Sequence, residues 1–122
     1  VKLIGKDCPA PIQHFHQSGI SDKVLRVLTK LKFEIPTAIQ AQGIPIMMSG
    51  RDMIGIAKTG SGKTLAYLLP MLRHISAQRR VEQGEGPIGL VLAPTRELVL
   101  QINSVARPFC KKLGLRSLAI YG

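Results

Sequence analysis

Residues 57–64, AKTGSGKT, have the types and spacing that point most directly to chemistry. They follow an apolar segment, residues 53–56, and precede one of helical apolar period, residues 65–75. In that setting the glycines let backbone N–H groups approach phosphate oxygens, and the helix directs its positive end at the same place. Lys63 is expected to reach the β- and γ-phosphates, and Thr64 to bind Mg²⁺. The pattern predicts a phosphate-binding loop, with a chance Gly/Ser turn as the alternative.

A second group of residues indicates which base accompanies the phosphates. In residues 33–40, FEIPTAIQ, an aromatic residue precedes a proline turn, and Gln40 lies on the helix expected next. A glutamine amide can accept a hydrogen bond from adenine N6 and donate one to N7, whereas guanine presents an acceptor at that edge. Phe33 could stack on the base. The alternative is that Gln40 is an ordinary surface residue.

A third group follows the apolar run IGLVLA. In residues 93–98, APTREL, Thr95 and Arg96 begin a predicted helix. Backbone N–H groups there, with these two side chains, form an anion site suited to nucleic-acid phosphates. The alternative is ordinary capping, with Thr95 as the N-cap and Glu97 in the first turn.

Length and composition favour one folded unit. The 122 residues are 45% hydrophobic, which argues against disorder. No apolar run reaches about 18 residues, so no membrane span is expected, and the N-terminus lacks the apolar core of a signal peptide. Cys8 and Cys110 lie far apart without metal-ligand spacing, and we expect free thiols in an intracellular protein.

A net charge of +10 indicates a nucleic-acid partner. Lys23, Arg26 and Lys30 fall on one face of a predicted helix. Charge alone separates RNA neither from DNA nor from an acidic protein, and solvated helix faces are the alternative for any one cluster.

The elements expected to position these groups alternate between strand and helix. Residues 1–20 read as an irregular extension, and residues 21–122 as one domain. The predicted helices span residues 21–31, 37–42, 45–50, 63–79 and 95–112, and the predicted strands span 52–56, 88–93 and 116–121. Residues 88–93 read as a fully buried strand because they lack polar alternation. This order predicts an α/β fold with a parallel sheet, right-handed crossovers and flanking helices.

In order and spacing, the three groups resemble one family. The chain is similar to the N-terminal part of the first RecA-like domain of DEAD-box ATP-dependent RNA helicases, a truncated P-loop NTPase fold. FEIPTAIQ resembles the Q motif, AKTGSGKT motif I and PTREL motif Ia, and within the family the sequence looks most like the pre-mRNA splicing branch. Ala57, where the strict phosphate-loop pattern has glycine, is ordinary in this family. Lys32 stands where the family usually has glycine.

The resemblance implies a role for each matching residue. ATP and Mg²⁺ are the implied cofactors, Lys63 and Thr64 the catalytic residues, and Thr64 the Mg²⁺ ligand. The implied nucleotide-binding residues are Phe15, Phe33, Ile35, Gln40, Thr59, Gly60, Ser61, Gly62, Lys63 and Thr64. The implied RNA-backbone contacts are Pro94, Thr95, Arg96 and Gly122.

The resemblance also implies an RNA-stimulated ATPase that unwinds RNA or remodels ribonucleoproteins. Its implied partners are RNA, a second RecA-like domain and splicing factors, with no membrane, in the nucleus or cytoplasm. The 122 residues contain no Asp-Glu-Ala-Asp segment, so we expect this chain alone to be inactive. The alternatives are a nucleotide-dependent RNA clamp without productive hydrolysis and a different P-loop ATPase.

Overall fold

The computed structural model describes residues 2–122. Its regular elements are the 3-10 helix Phe15–Ser18 and four α-helices: α1 (Asp22–Lys30), α2 (Ala38–Met48), α3 (Lys63–Ser76) and α4 (Arg96–Leu113). Among these residues no helix is both long and apolar enough to cross a bilayer.

Three of the α-helices begin at side-chain caps. The hydroxyl of Ser21 accepts from Val24 N, that of Thr37 from Gln40 N, and that of Thr95 from Leu98 N. Each cap satisfies one of the N–H groups that a helix start leaves without a partner. The starts of these three helices were therefore predicted to within about one residue from local sequence alone.

The two short helices predicted for residues 37–50 are in fact one. α2 continues through Pro45, which has no N–H to give to the carbonyl of Ala41. That carbonyl instead accepts a hydrogen bond from Ile12 N at 2.9 Å. The N-terminal segment thus supplies the donor that Pro45 lacks, and the separation predicted at this proline was wrong.

The α-helices share one hydrophobic core. Leu28 of α1, Ile44 of α2, Leu69 of α3 and Phe109 of α4 are each at most 1% exposed. Phe15 of the 3-10 helix joins this cluster. The core holds α3, and the phosphate-binding loop before it, against α2.

The predicted parallel sheet is not observed. Within residues 2–122 no strand is assigned, and no backbone hydrogen bond joins any two of the predicted strand segments 52–56, 88–93 and 116–121. Strands consecutive in sequence need not be neighbours in a sheet, and the three segments provide no ladder for one another. The sequence pattern thus identified the apolar segments, but it did not indicate which strands they pair with.

Residues 88–93 are not fully buried, contrary to the prediction. Gly89 lies against Met71 and Ile75 of α3, whereas Leu90 and Leu92 are exposed. Alternate residues of the other two predicted strand segments, 52–56 and 116–121, are exposed as well. We refer to these side chains, which are 68–92% exposed, together as the apolar face: Ile54, Ile56, Leu90, Leu92, Leu118 and Ile120.

We expect the 122-residue chain to self-associate through the apolar face, because its exposed side chains gain free energy when they are removed from water. Leu92→Gln together with Ile120→Gln should weaken association at least about tenfold, as measured by analytical ultracentrifugation. Leu100→Gln is the matched control, because Leu100 is also exposed but lies on α4. If Leu100→Gln weakened association as much as the double variant does, a role for this face would be contradicted.

Candidate functional site

The predicted phosphate-binding loop, residues 57–64, leads into α3 through Gly62, whose φ of 87° favours glycine. In the described part of the chain, no side chain caps the start of α3, in contrast to α1, α2 and α4. Its first turn also contains no acidic residue. The N–H groups at this helix start are therefore free to bind an anion, and the helix dipole favours one.

Two neighbouring residues fit the same ligand. Ser61 Oγ is buried and has no hydrogen-bond partner among the residues described, which is costly unless a ligand supplies one. Gly60 has a φ of 82°, and a Cβ there would meet nothing within 4 Å. The loop thus combines an unpaired hydroxyl with open space, as a phosphate group requires.

The side chain of Lys63 folds back across the loop. Its Nζ donates to the carbonyl oxygen of Ala57 at 2.5 Å. This contact keeps the ammonium group beside the uncapped helix start, with two further N–H donors available. Lys63 therefore lies where it can share a phosphate oxygen with the loop amides.

Thr64 follows at the second position of α3, and Tyr67 lies one turn further on. Burial raises the pKa of Tyr67, while a side-chain hydrogen bond with Thr64 partly opposes that rise. Tyr67 is not among the site residues predicted from sequence, although its spacing of three from Thr64 on a helix was a signal. Within residues 2–122 no group of three His, Cys, Asp or Glu side chains could hold a metal.

Gln40 connects α2 to the phosphate-binding loop. Its Oε1 accepts from Thr37 N at 2.9 Å, and its Nε2 donates to the Gly62 carbonyl at 3.1 Å. These partners fix which end of the amide is oxygen. One lone pair on Oε1 and one N–H on Nε2 remain. Adenine N6 could donate to the first, and adenine N7 could accept from the second. Gln40 is 2% exposed, so its observed contact is structural and its base contact stays a prediction.

The turn after α1 places Phe33 and Ile35. Phe33 N donates to Leu28 O and Lys32 N to Thr29 O, the pair of bonds that closes a Schellman motif. Lys32 has a φ of 65°, which explains why glycine is usual at this position. Phe33 and Ile35 are both exposed and thus available to a base.

Phe15, implied as a nucleotide contact, is 5% exposed and belongs to the hydrophobic core. It packs near α2 rather than presenting its ring to solvent. The structure therefore gives Phe15 a packing position, and a direct nucleotide contact remains a prediction.

The predicted RNA-contact residues meet at the start of α4. Arg96 Nη2 donates to the Gly122 carbonyl at 2.9 Å, and its guanidinium carbon lies 5.3 Å from the centre of the Tyr121 ring. Thr95 caps α4, as its alternative interpretation held, and Pro94 is exposed beside it. The remaining N–H groups of Arg96 are available to a phosphate.

Comparisons with known proteins point to one family. The family model described as DEAD/DEAH box helicase matches residues 37–122. The chain is 59% identical over all its residues to DEAD-box ATP-dependent RNA helicase 42 of Arabidopsis thaliana and 56% identical to the pre-mRNA-processing ATP-dependent RNA helicase prp5 of Botryotinia fuckeliana. It spans 10% of the length of each.

A solved structure is similar in backbone as well as sequence. The crystal structure of the RNA helicase Prp28 from Chaetomium thermophilum bound to ADP superposes with a TM-score of 0.90 at 44% identity. The match covers 97% of this chain and 29% of that one.

Proposed function

Because the chain belongs to the DEAD/DEAH box helicase family, we propose that it is the ATP-binding part of an ATP-dependent RNA helicase. In the longer protein, ATP binding and hydrolysis would be coupled to RNA unwinding or ribonucleoprotein remodelling in pre-mRNA splicing. The relatives reported above carry helicase names, one of them with a pre-mRNA-processing role. None of these observations favours a clamp without hydrolysis.

The observation that carries the proposal is the start of α3. A glycine-initiated helix without a side-chain cap, a buried unpaired hydroxyl and a lysine folded over the loop converge on one anion position. Residues 59–64 would hold the triphosphate, with Lys63 neutralising charge on the outer phosphates. Thr64 would hold Mg²⁺, which polarises the transferred phosphoryl group.

RNA would bind at the start of α4. Thr95, Arg96 and Gly122, with Pro94 beside them, would contact the sugar–phosphate backbone and confer little base specificity. Further partners would be a second RecA-like domain of the same longer protein and splicing factors. A splicing role would place the protein in the nucleus.

The first test concerns base selection. The chain should bind ADP more tightly than GDP, and Gln40→Ala should narrow that preference by about 1–3 kcal/mol, because the fixed amide matches adenine's edge. Isothermal titration calorimetry with both nucleotides measures the ratio.

Gln42→Ala is the matched control. Gln42 is also a buried glutamine of α2, but its Nε2 donates to the Pro9 carbonyl, away from the phosphate-binding loop. Gln42→Ala should leave the ratio of ADP affinity to GDP affinity unchanged. Equal binding of ADP and GDP by the unmodified chain would remove the argument for adenine selection.

A further inference from the structure

Positive charge is concentrated on α1 and on the second half of α4. We call it the basic face: Lys23, Arg26 and Lys30 of α1 with Arg107 and Lys111 of α4, all exposed. Across residues 2–122 the one ion pair joins Arg79 to Glu85. The five cations of the basic face therefore have no carboxylate within ion-pair distance, and their charge is directed outward.

The two helices that carry these cations are neighbours in the fold. α1 packs against α4, and Lys23 at the start of α1 lines the same crevice as Leu113 at the end of α4. Lys23 to Lys30 spans seven residues, or about 10 Å along the helix.

The basic face is separate from the site at Arg96. Lys111 lies fifteen positions after Arg96 on the continuous helix α4, or about 22 Å along it. A short RNA held at the start of α4 cannot also cover the end of that helix. A longer strand can contact both.

The chemistry of the face favours a polyanion over a folded protein partner. Apart from the cations, the exposed side chains of α1 are Asp22 and Thr29. Around the two α4 cations the exposed neighbours are Ser104 and Lys112. Protein interfaces centre on buried aromatic or aliphatic anchors, and among these exposed positions there is none.

We propose that the basic face is a second RNA-backbone surface, which holds the strand flanking the segment bound at Arg96. This inference rests on the proposed RNA function and extends it to a site not included in motif Ia. Binding there would be insensitive to base sequence, since Lys and Arg contact phosphates without reading base edges. Full affinity would then require an RNA long enough to reach both the Arg96 site and the basic face.

The test combines Arg26→Gln, Lys30→Gln and Arg107→Gln in the 122-residue chain. For a long single-stranded RNA, the slope of log affinity against log salt concentration should become shallower by about 2, since each lost phosphate contact contributes ~0.7. Affinity for a short RNA that covers only the Arg96 site should stay the same. Fluorescence anisotropy measures both, and unchanged ADP affinity verifies folding.

The matched control combines Lys2→Gln, Lys6→Gln and Arg80→Gln, which removes the same charge from exposed positions elsewhere. Equal slopes for the two triple variants would overturn the proposal. So would an unchanged RNA slope combined with lost binding to polyglutamate, which would assign the face to an acidic polypeptide. Absence of RNA binding by the unmodified chain at low salt would overturn the RNA function itself, and this proposal with it.

Discussion

Lys63→Ala is expected to weaken ADP binding about 10- to 100-fold, which corresponds to about 1.5–3 kcal/mol for a charged hydrogen-bond donor. The Lys63 ammonium lies beside the uncapped start of α3 and donates to the Ala57 carbonyl. Stability should change little, because that carbonyl lies in an irregular segment. In the longer protein the same variant should abolish RNA-stimulated ATP hydrolysis.

Lys58→Ala provides the comparison. It removes the same charge from the same loop, but Lys58 is exposed and its side chain makes no hydrogen bond within residues 2–122. Calorimetric titration should show near-normal ADP affinity for Lys58→Ala, and thermal melting should show similar stability for both variants. If Lys58→Ala weakened ADP binding as much as Lys63→Ala, general loop charge would account for the effect.

The features predicted correctly from sequence are those that local residues determine. Ser21 and Thr95 cap helices, and Gly114 ends α4 with a φ of 70°. Each depends on residues within about four positions, so a single segment contains the information. The start of α3 belongs to this class, because Gly62 and the helix that begins at Lys63 are consecutive.

The features that sequence reasoning missed depend on distant partners. Pro45 reads locally as a break, yet Ile12, distant in sequence, satisfies the carbonyl it leaves open. Gln40 was considered for its chemistry toward a base, and nothing local indicated its bond to Gly62, 22 residues away. The predicted sheet was not confirmed, and strand pairing is likewise a long-range property that an apolar segment does not encode alone.

The Gln40–Gly62 contact makes Gly62 the most sensitive glycine of the loop. A Cβ at position 62 would clash with Gln40 Nε2 and would lie 3.0 Å from Thr37 Oγ1. Gly62→Ala should therefore destabilise the chain by about 2–4 kcal/mol, from left-handed backbone strain and displacement of the Gln40 hydrogen bonds. ADP affinity should fall with it, because the same displacement moves the start of α3. Urea unfolding and calorimetry measure the two effects.

Gly60→Ala separates backbone strain from the side-chain clash. Gly60 has a φ of 82°, close to the 87° of Gly62, but a Cβ there meets nothing within 4 Å. Gly60→Ala should therefore lower the free energy of unfolding by the backbone strain alone, roughly 1–2 kcal/mol. Gln40→Ala removes the clashing amide, so Gly62→Ala should cost less in that background, with a coupling of about 0.5–3 kcal/mol. Strict additivity of the two changes would show that the Gln40 amide does not restrict position 62. Observed coupling would instead mean that the residue proposed to read the base also holds the phosphate-binding loop in place.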